Sequence, residues 1–223
     1  MYFKELVNNM GNEKENQKRQ NTIRFIEATQ ELIETDGLKN LSIRKIADKA
    51  GFHNSTIYLY FKDIEELILL ASIKYFNEYS KNLSELSSWK LRPREHFLSV
   101  WDFFAQAVFQ NPNVFYNFFF GKHSDDLTGI MTQYYELFPE EREKYTPQIE
   151  DMYYGKNIWD RCMGLLLPLA DVAPGIKNSN LNIINDITVS YVKYLLEQKC
   201  QNPDLDSDML TDKMMQMLKF VIN

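Results

Sequence analysis

Apolar residues recur at spacings of three and four along almost the whole chain, and strand-like alternation bounded by turn residues is scarce. The pattern predicts an all-α protein. A first helix is expected over 18–36, with Phe25, Thr29, Leu32 and Ile33 on one stripe and Gly37 as its stop signal. The polar, Asn- and Glu-rich arm before it, residues 1–17, reads as flexible. Ile43, Ile46, Ala47 and Ala50 mark a short helix begun by the good N-cap Ser42, and Gly51 supplies the freedom for a sharp turn. A second short helix begins near Asn54, with Ile57 and Phe61 four residues apart on one face. Asp63 and Glu66 then open a long helix to about Leu86 in a capping-box pattern.

Arg92-Pro93 opens the next helix, whose stripe of Phe97, Trp101, Phe104, Ala105 and Val108 ends at Asn111-Pro112. Pro139, Pro147, Pro168 and Pro174 break residues 111–178 into short pieces, with loops expected at 121–126 and 171–180. Two helices close the chain on either side of the turn-rich 201–207. The first carries Ile184, Ile187, Tyr191, Tyr194 and Leu195, and the second Leu210, Met214, Met217, Leu218 and Val221. Ile183, Val192, Met215 and Phe220 lie off these stripes, so the pair needs a second surface to cover, either on the chain's own helices or on a copy of the chain.

The two short helices around Gly51 have the layout of a helix-turn-helix. The first braces, the turn sets the angle, and the second leaves Asn54, Ser55, Thr56, Tyr58 and Leu59 outside, a set suited to a major groove. A compact hairpin in a helical core is the competing reading, but the run is too polar to be buried and too short to be stable in solvent. The string from Phe25-Ile26-Glu27-Ala28 through Leu32-Ile33 and Gly37 to LSIRKIADKAGFHNSTIYLYFKDIEELI resembles the N-terminal domain of the tetracycline-repressor (TetR) family of transcriptional regulators. The resemblance covers about residues 20–70 and implies a helix-turn-helix DNA-binding domain over 18–66, followed by a larger helical effector-binding and dimerisation domain over 67–223.

On these positions the resemblance places Asn54, Ser55, Thr56, Tyr58, Leu59 and Tyr60 on the recognition helix and Arg44 on the helix before it, within reach of a base. Asn pairs bidentately with adenine and Arg with guanine. Thr56, Tyr58, Tyr60 and Lys62 are better suited to phosphates, which position without reading sequence. His53 stands where the family usually has serine or a similar cap, so Asn54 is an alternative cap. Leu59 either meets a thymine methyl or packs.

Charge fits this division. Residues 1–62 carry a net charge of +2 and residues 63–223 a net charge of -8, within a total of -6. A mildly basic front suits a polyanion, although offsets this small are common. Twelve aromatics lie between Phe115 and Trp159. They form either a bulky core or a mostly apolar pocket in which Trp101, Phe104, Phe118, Phe119, Tyr134, Tyr153, Trp159 and Met163 converge. The resemblance implies a small apolar or aromatic effector there. Nearby Glu136, Glu150, Asp151 and Asp160 read as solvated helix faces or as partners for an aromatic cation. The resemblance further implies a homodimer built on the closing helices, through Ile184, Ile187, Tyr191, Tyr194, Leu195, Met214, Met217, Leu218 and Val221.

Other classes have little support. His123 beside Asp125 and Asp126 is the one enzyme-like set, and no nucleophile or metal-ligand spacing accompanies it. Cys162 and Cys200 have no metal-like or redox-like spacing and are expected as reduced thiols. No cofactor, metal, catalytic residue or membrane partner is expected, and the N-terminus lacks a secretion signal, which points to the cytoplasm. A helix-turn-helix adaptor whose body grips a protein is the alternative. The reading that results is a ligand-responsive regulator, most often a repressor in this family, bound as a dimer to a palindromic double-stranded DNA operator.

Overall fold

A computed structural model of the chain describes residues 2–170 and 172–223, all helices and turns. Met1 of the expected arm and Asp171 of the expected loop lie outside the described residues. The chain divides into two compact units, Met1–Ala71 and Ser72–Asn223.

The first unit holds α1 (Tyr2–Asp36), α2 (Ile43–Ala50), a 3₁₀ recognition helix (Asn54–Leu59) and α3 (Ile64–Ser72). The helix α1 starts well before the expected residue 18. The arm contains no proline, and its Glu and Lys residues propagate a helix readily enough to carry it through the asparagines. Ser42 caps α2 by accepting the Lys45 N–H at 3.3 Å. At the other end the Phe52 N–H reaches the Ala47 carbonyl at 2.9 Å and the Gly51 N–H reaches the Asp48 carbonyl at 3.2 Å, a Schellman closure. That closure puts Gly51 at φ +78°, where a side chain is strained. Arg24 seals the same helix end by donating from Nη2 to the Ala50 carbonyl at 3.0 Å, and its guanidinium lies over the Phe52 ring.

The core of this unit is the fully buried ring of Phe25, stacked on Phe52 at 4.7 Å and touching Tyr60 at 5.5 Å and Phe61 at 5.9 Å. Thr29 sits on this apolar stripe at no polar cost, because its hydroxyl donates to the Phe25 carbonyl at 2.8 Å. Asn21 Nδ2 donates to the Tyr60 hydroxyl at 2.8 Å. The helix α3 begins as its spacing predicts: Asp63 accepts the Glu66 N–H at 2.9 Å, while Glu66 reaches back to the Lys62 N–H at 2.5 Å.

The second unit begins with a 3₁₀ turn, Ile73–Phe76, followed by α4 (Asn77–Leu86). The expected unbroken helix from 63 to 86 is thus tightened in its middle. In 3₁₀ geometry residues three apart are eclipsed, which turns Ile73 and Phe76 into the core together. Then come α5 (Pro93–Gln110), α6 (Pro112–Phe120), α7 (Leu127–Leu137), α8 (Pro147–Tyr153), α9 (Ile158–Leu166), α10 (Leu181–Gln201) and α11 (Ser207–Val221). Prolines open α5, α6 and α8, where the missing N–H costs nothing. The helix α11 packs on α5, α10 on α9, α6 and α11, and α8 on α9. Phe76, Phe115, Phe118 and Phe119 form a buried ring cluster, with centroids 4.7 to 5.7 Å from Phe76. Among the described residues no helix is long and apolar enough to cross a membrane.

Two substitutions test the packing of the first unit. Gly51→Ala is expected to cost about 1–2 kcal/mol in denaturant unfolding, because it places a Cβ in the left-handed region and 3.1 Å from Arg24 Nη2. Tyr60→Phe is expected to cost about 1 kcal/mol through the lost Asn21 bond while keeping the ring stack; an unchanged unfolding midpoint would show that the Tyr60 hydroxyl has no structural role.

Candidate DNA interface and effector chamber

The recognition helix is held from both ends. His53 caps it: its Nδ1 accepts the Ser55 N–H at 3.4 Å and pairs with the Ser55 hydroxyl at 2.9 Å. Asn54 is therefore not the cap and keeps its amide for other partners. Ile57 alone points into the core, with Phe52 just before the helix and Tyr60 and Phe61 just after it gathered on Phe25. Ser55, Tyr58 and Leu59 are exposed, and Asn54 and Thr56 are half-exposed. Leu59 does not pack. Tyr60 differs from its neighbours, being half-buried with its ring and hydroxyl engaged inside the unit.

Most of the basic residues around this surface are already paired. Lys45 holds Asp36 at 2.6 Å, which keeps that carboxyl below its usual range, and Lys49 pairs with Glu31. Arg44 and Lys62 are different. Their side chains are 82% and 79% exposed, and among the described residues their ion pairs are loose contacts with Asp48 at 3.7 Å and Glu66 at 3.8 Å. Contacts of that length from cations so exposed contribute little and leave both free to meet a phosphate. The unit thus presents a short polar helix with an available cation on each side in sequence.

In the second unit the aromatics of 115–159 are mostly core. Trp101, Phe104 and Phe119 do meet at a small cavity of about 20 Å³, as the sequence suggests. The rest of the expected pocket is elsewhere. Phe118 packs against Phe76; Tyr134 stacks on Phe138 and donates to Glu141 at 2.7 Å; Tyr153 bonds Tyr135 at 2.8 Å. Trp159 points outward beside Phe120, and Met163, half-exposed, does not line the cavity. Successive residues of α9 face different sides, and Arg161, Cys162 and Leu165 supply the wall instead. Tyr79 and Arg161 also line the cavity and carried no sequence signal, because a tyrosine in a polar run and an arginine in a helix read as surface. Tyr79 also lines a wider cleft of about 540 Å³ that carries Glu78, Asp102, Asp208 and Asp212 and no Lys or Arg.

The expected dimer set separates into two faces. Ile184, Leu195, Met214 and Leu218 are buried in the unit's own core and are not available to a partner, which corrects their assignment to the interface. The stripe they share reads inward, since α10 and α11 are apolar on two faces. Ile187 and Tyr194 are exposed, and Tyr191, Met217 and Val221 are half-exposed. Ile183 and Phe220 join the outward set. His123 occupies a turn at φ +66°, and among the described residues no group of three His, Cys, Asp or Glu can hold a metal ion.

Residues 25–71 match the family model described as bacterial regulatory proteins, tetR family. The fatty acid metabolism regulator protein of Bacillus subtilis is 32% identical over 84 residues, which are 38% of this chain and 43% of that protein. An uncharacterized HTH-type transcriptional regulator of Haemophilus influenzae is 30% identical over 94 residues, 40% of this chain and 48% of that protein. The chain thus matches less than half the length of these curated relatives. Among solved structures, Thermus thermophilus FadR, a TetR-family transcriptional repressor in complex with lauroyl-CoA, superposes with a TM-score of 0.58 at 14% identity, covering 91% of this chain and 95% of that one. RolR in complex with resorcinol gives 0.57 at 16% identity, covering 91% and 89%. At such identities these likenesses concern the fold, which is all-helical throughout. Residues 25–71 thus carry the helix-turn-helix domain of the tetR family of bacterial regulatory proteins, and the helical body after it is similar to solved members in fold.

Proposed function

We propose that the chain is a homodimeric, ligand-responsive transcriptional repressor that binds a palindromic DNA operator and is released by a small molecule in its second unit. The observation that carries this reading is the recognition helix: its outward residues are polar or exposed, it is braced by Phe25, and it is flanked by the exposed cations Arg44 and Lys62. Asn54, Ser55 and Arg44 are the candidate base readers, and Leu59 suits a thymine methyl. Thr56, Tyr58 and Lys62 act as phosphate contacts. Tyr60 contributes chiefly by fixing the helix.

Dimerisation is supported by the outward stripe of α10, Ile183, Ile187 and Tyr194, joined by Phe220 of α11. A soluble surface rarely leaves so many large apolar side chains in line without covering them. An isologous pair covers this face with its own copy. Effector control is supported by relatives of the same fold solved with lauroyl-CoA and with resorcinol. The effector acts by preferring one conformation of the dimer over the other. With no spanning helix among the described residues, the cytoplasm is the consistent location.

Retention of a random duplex pool, followed by sequencing, is expected to enrich a palindrome with the wild type and nothing with an Arg44, Tyr58 and Lys62 triple-Ala variant; equal enrichment by both would sink the interface. Lys62→Ala is expected to lower the salt slope of binding by about 0.9, and Arg44→Ala to relax one base pair per half-site by about 1–3 kcal/mol. Combining Ile187→Lys with Tyr194→Lys is expected to yield a folded monomer in sedimentation; a persistent dimer would move the interface elsewhere.

A further inference from the structure

Among the described residues Arg161 is the only buried cation, 6% exposed, and no carboxylate answers it. Its Nε donates to the Gly155 carbonyl at 3.1 Å, its Nη2 meets the Met131 sulfur at 2.8 Å, and the guanidinium lies 5.6 Å over the Phe119 ring. None of these is an anion, and they engage two of the five N–H donors of a guanidinium. The phenols around it, Tyr79, Tyr135 and Tyr153, are pushed up by burial and stay neutral. Burial pulls Arg161 itself down to about 10, which leaves it charged at neutral pH. An uncompensated buried charge is among the costliest groups a core can hold.

A second donor shares the same cavity. The Trp101 indole N–H is buried, with the residue 3% exposed, and has no acceptor. The backbone is also shaped for this arginine: a Cβ on Gly155 would stand 2.8 Å from Arg161 Cγ. Two residues with unmet donors, one of them cationic, therefore line one chamber whose other walls are mainly aromatic and apolar side chains. Carboxylates are the groups that a guanidinium fork and an added N–H hold best in such surroundings.

We propose that this chamber receives the carboxylate of a small organic monoanion with an apolar body, gripped by Arg161 and Trp101. This rests on the effector role proposed above and names the effector's chemical class. At about 20 Å³ the cavity holds no more than one water, so the ligand must select a wider form of the unit, which is the differential affinity an effector needs. The neighbouring cleft argues for a free acid over a coenzyme A thioester: Glu78, Asp102, Asp208 and Asp212 line it without a Lys or Arg, a hostile setting for a phosphate-rich head group.

The test titrates the full-length protein with benzoate, phenylacetate, octanoate and laurate, with benzamide and octanamide as neutral isosteres, and with lauroyl-CoA. Binding is read by calorimetry and by retention of the selected operator. At least one acid is expected to bind ten or more times tighter than its amide, and laurate tighter than lauroyl-CoA. In Arg161→Met the preference for acid over amide is expected to vanish while the ligand-free melting temperature rises, because the variant sheds a buried charge. Trp101→Phe keeps an aromatic ring while removing the indole N–H, and is expected to weaken the acid several-fold more than the amide. No binding by any acid, amides equal to acids, or an Arg161→Met protein that melts lower and still prefers the acid would each overturn the proposal. Acid binding that leaves the operator bound would refute the effector role and leave the carboxylate site standing; operator release by amide and acid alike would do the reverse.

Discussion

Six residues cannot hold a helix by themselves, and the proposed DNA-facing surface of this protein depends on how that weakness is met. Forming the first turn fixes many dihedrals for one hydrogen bond, so the segment 54–59 must borrow its order from packing. Phe25 provides it. One buried ring on α1 gathers Phe52 from just before the segment and Tyr60 and Phe61 from just after it, so both ends are pinned to a single point. Only Ile57 is then needed inside, and the other positions are released from core duty. The polarity of Asn54, Ser55 and Thr56 and the exposure of Leu59 follow from that division of labour rather than from any helical preference of their own.

The second unit uses rings differently. Phe76, Phe115, Phe118 and Phe119 pack so closely that the dense aromatic segment is mainly core, with a small cavity beside Trp101 and Arg161. Interiors packed to crystal-like density do not deform smoothly, so a chamber of this size opens by moving a whole element or not at all. That makes the identity of the wall more informative than its volume.

What the sequence made legible was local. Caps and stops depend on residues within about four positions, so Ser42, Gly51, Asp63 with Glu66, and Pro93 stood where spacing put them, whereas Pro112 and Pro147, read as a stop and a break, open α6 and α8. The recognition motif was legible for the same reason, being one contiguous stretch. The chamber was not, because its wall joins Tyr79 of α4 to Trp101 of α5 and Arg161 of α9, and no periodicity within one helix reports which distant helix covers it. Arg161 and Tyr79 read as surface, and Trp159, a large apolar residue, as interior. The helix α10 failed in another way. Being apolar on two faces, its pattern could not say whether Ile184 and Leu195 or Ile183 and Ile187 faced inward.

The position of α9 ties these observations together. One side of it presents Arg161, Cys162 and Leu165 to the chamber, and the other meets α10, where Asn185 Nδ2 donates to the Trp159 carbonyl at 3.1 Å. The far side of α10 carries the uncovered stripe of Ile183, Ile187 and Tyr194. A widening of the chamber that displaces α9 must therefore displace α10 or break a packed, hydrogen-bonded contact. On the proposal above, the unmet charge of Arg161 would supply the bias, since a form that admits an anion would relieve it. An occupant of the proposed chamber would thereby be felt at the surface where a second copy of the chain would sit, through two helices in direct contact.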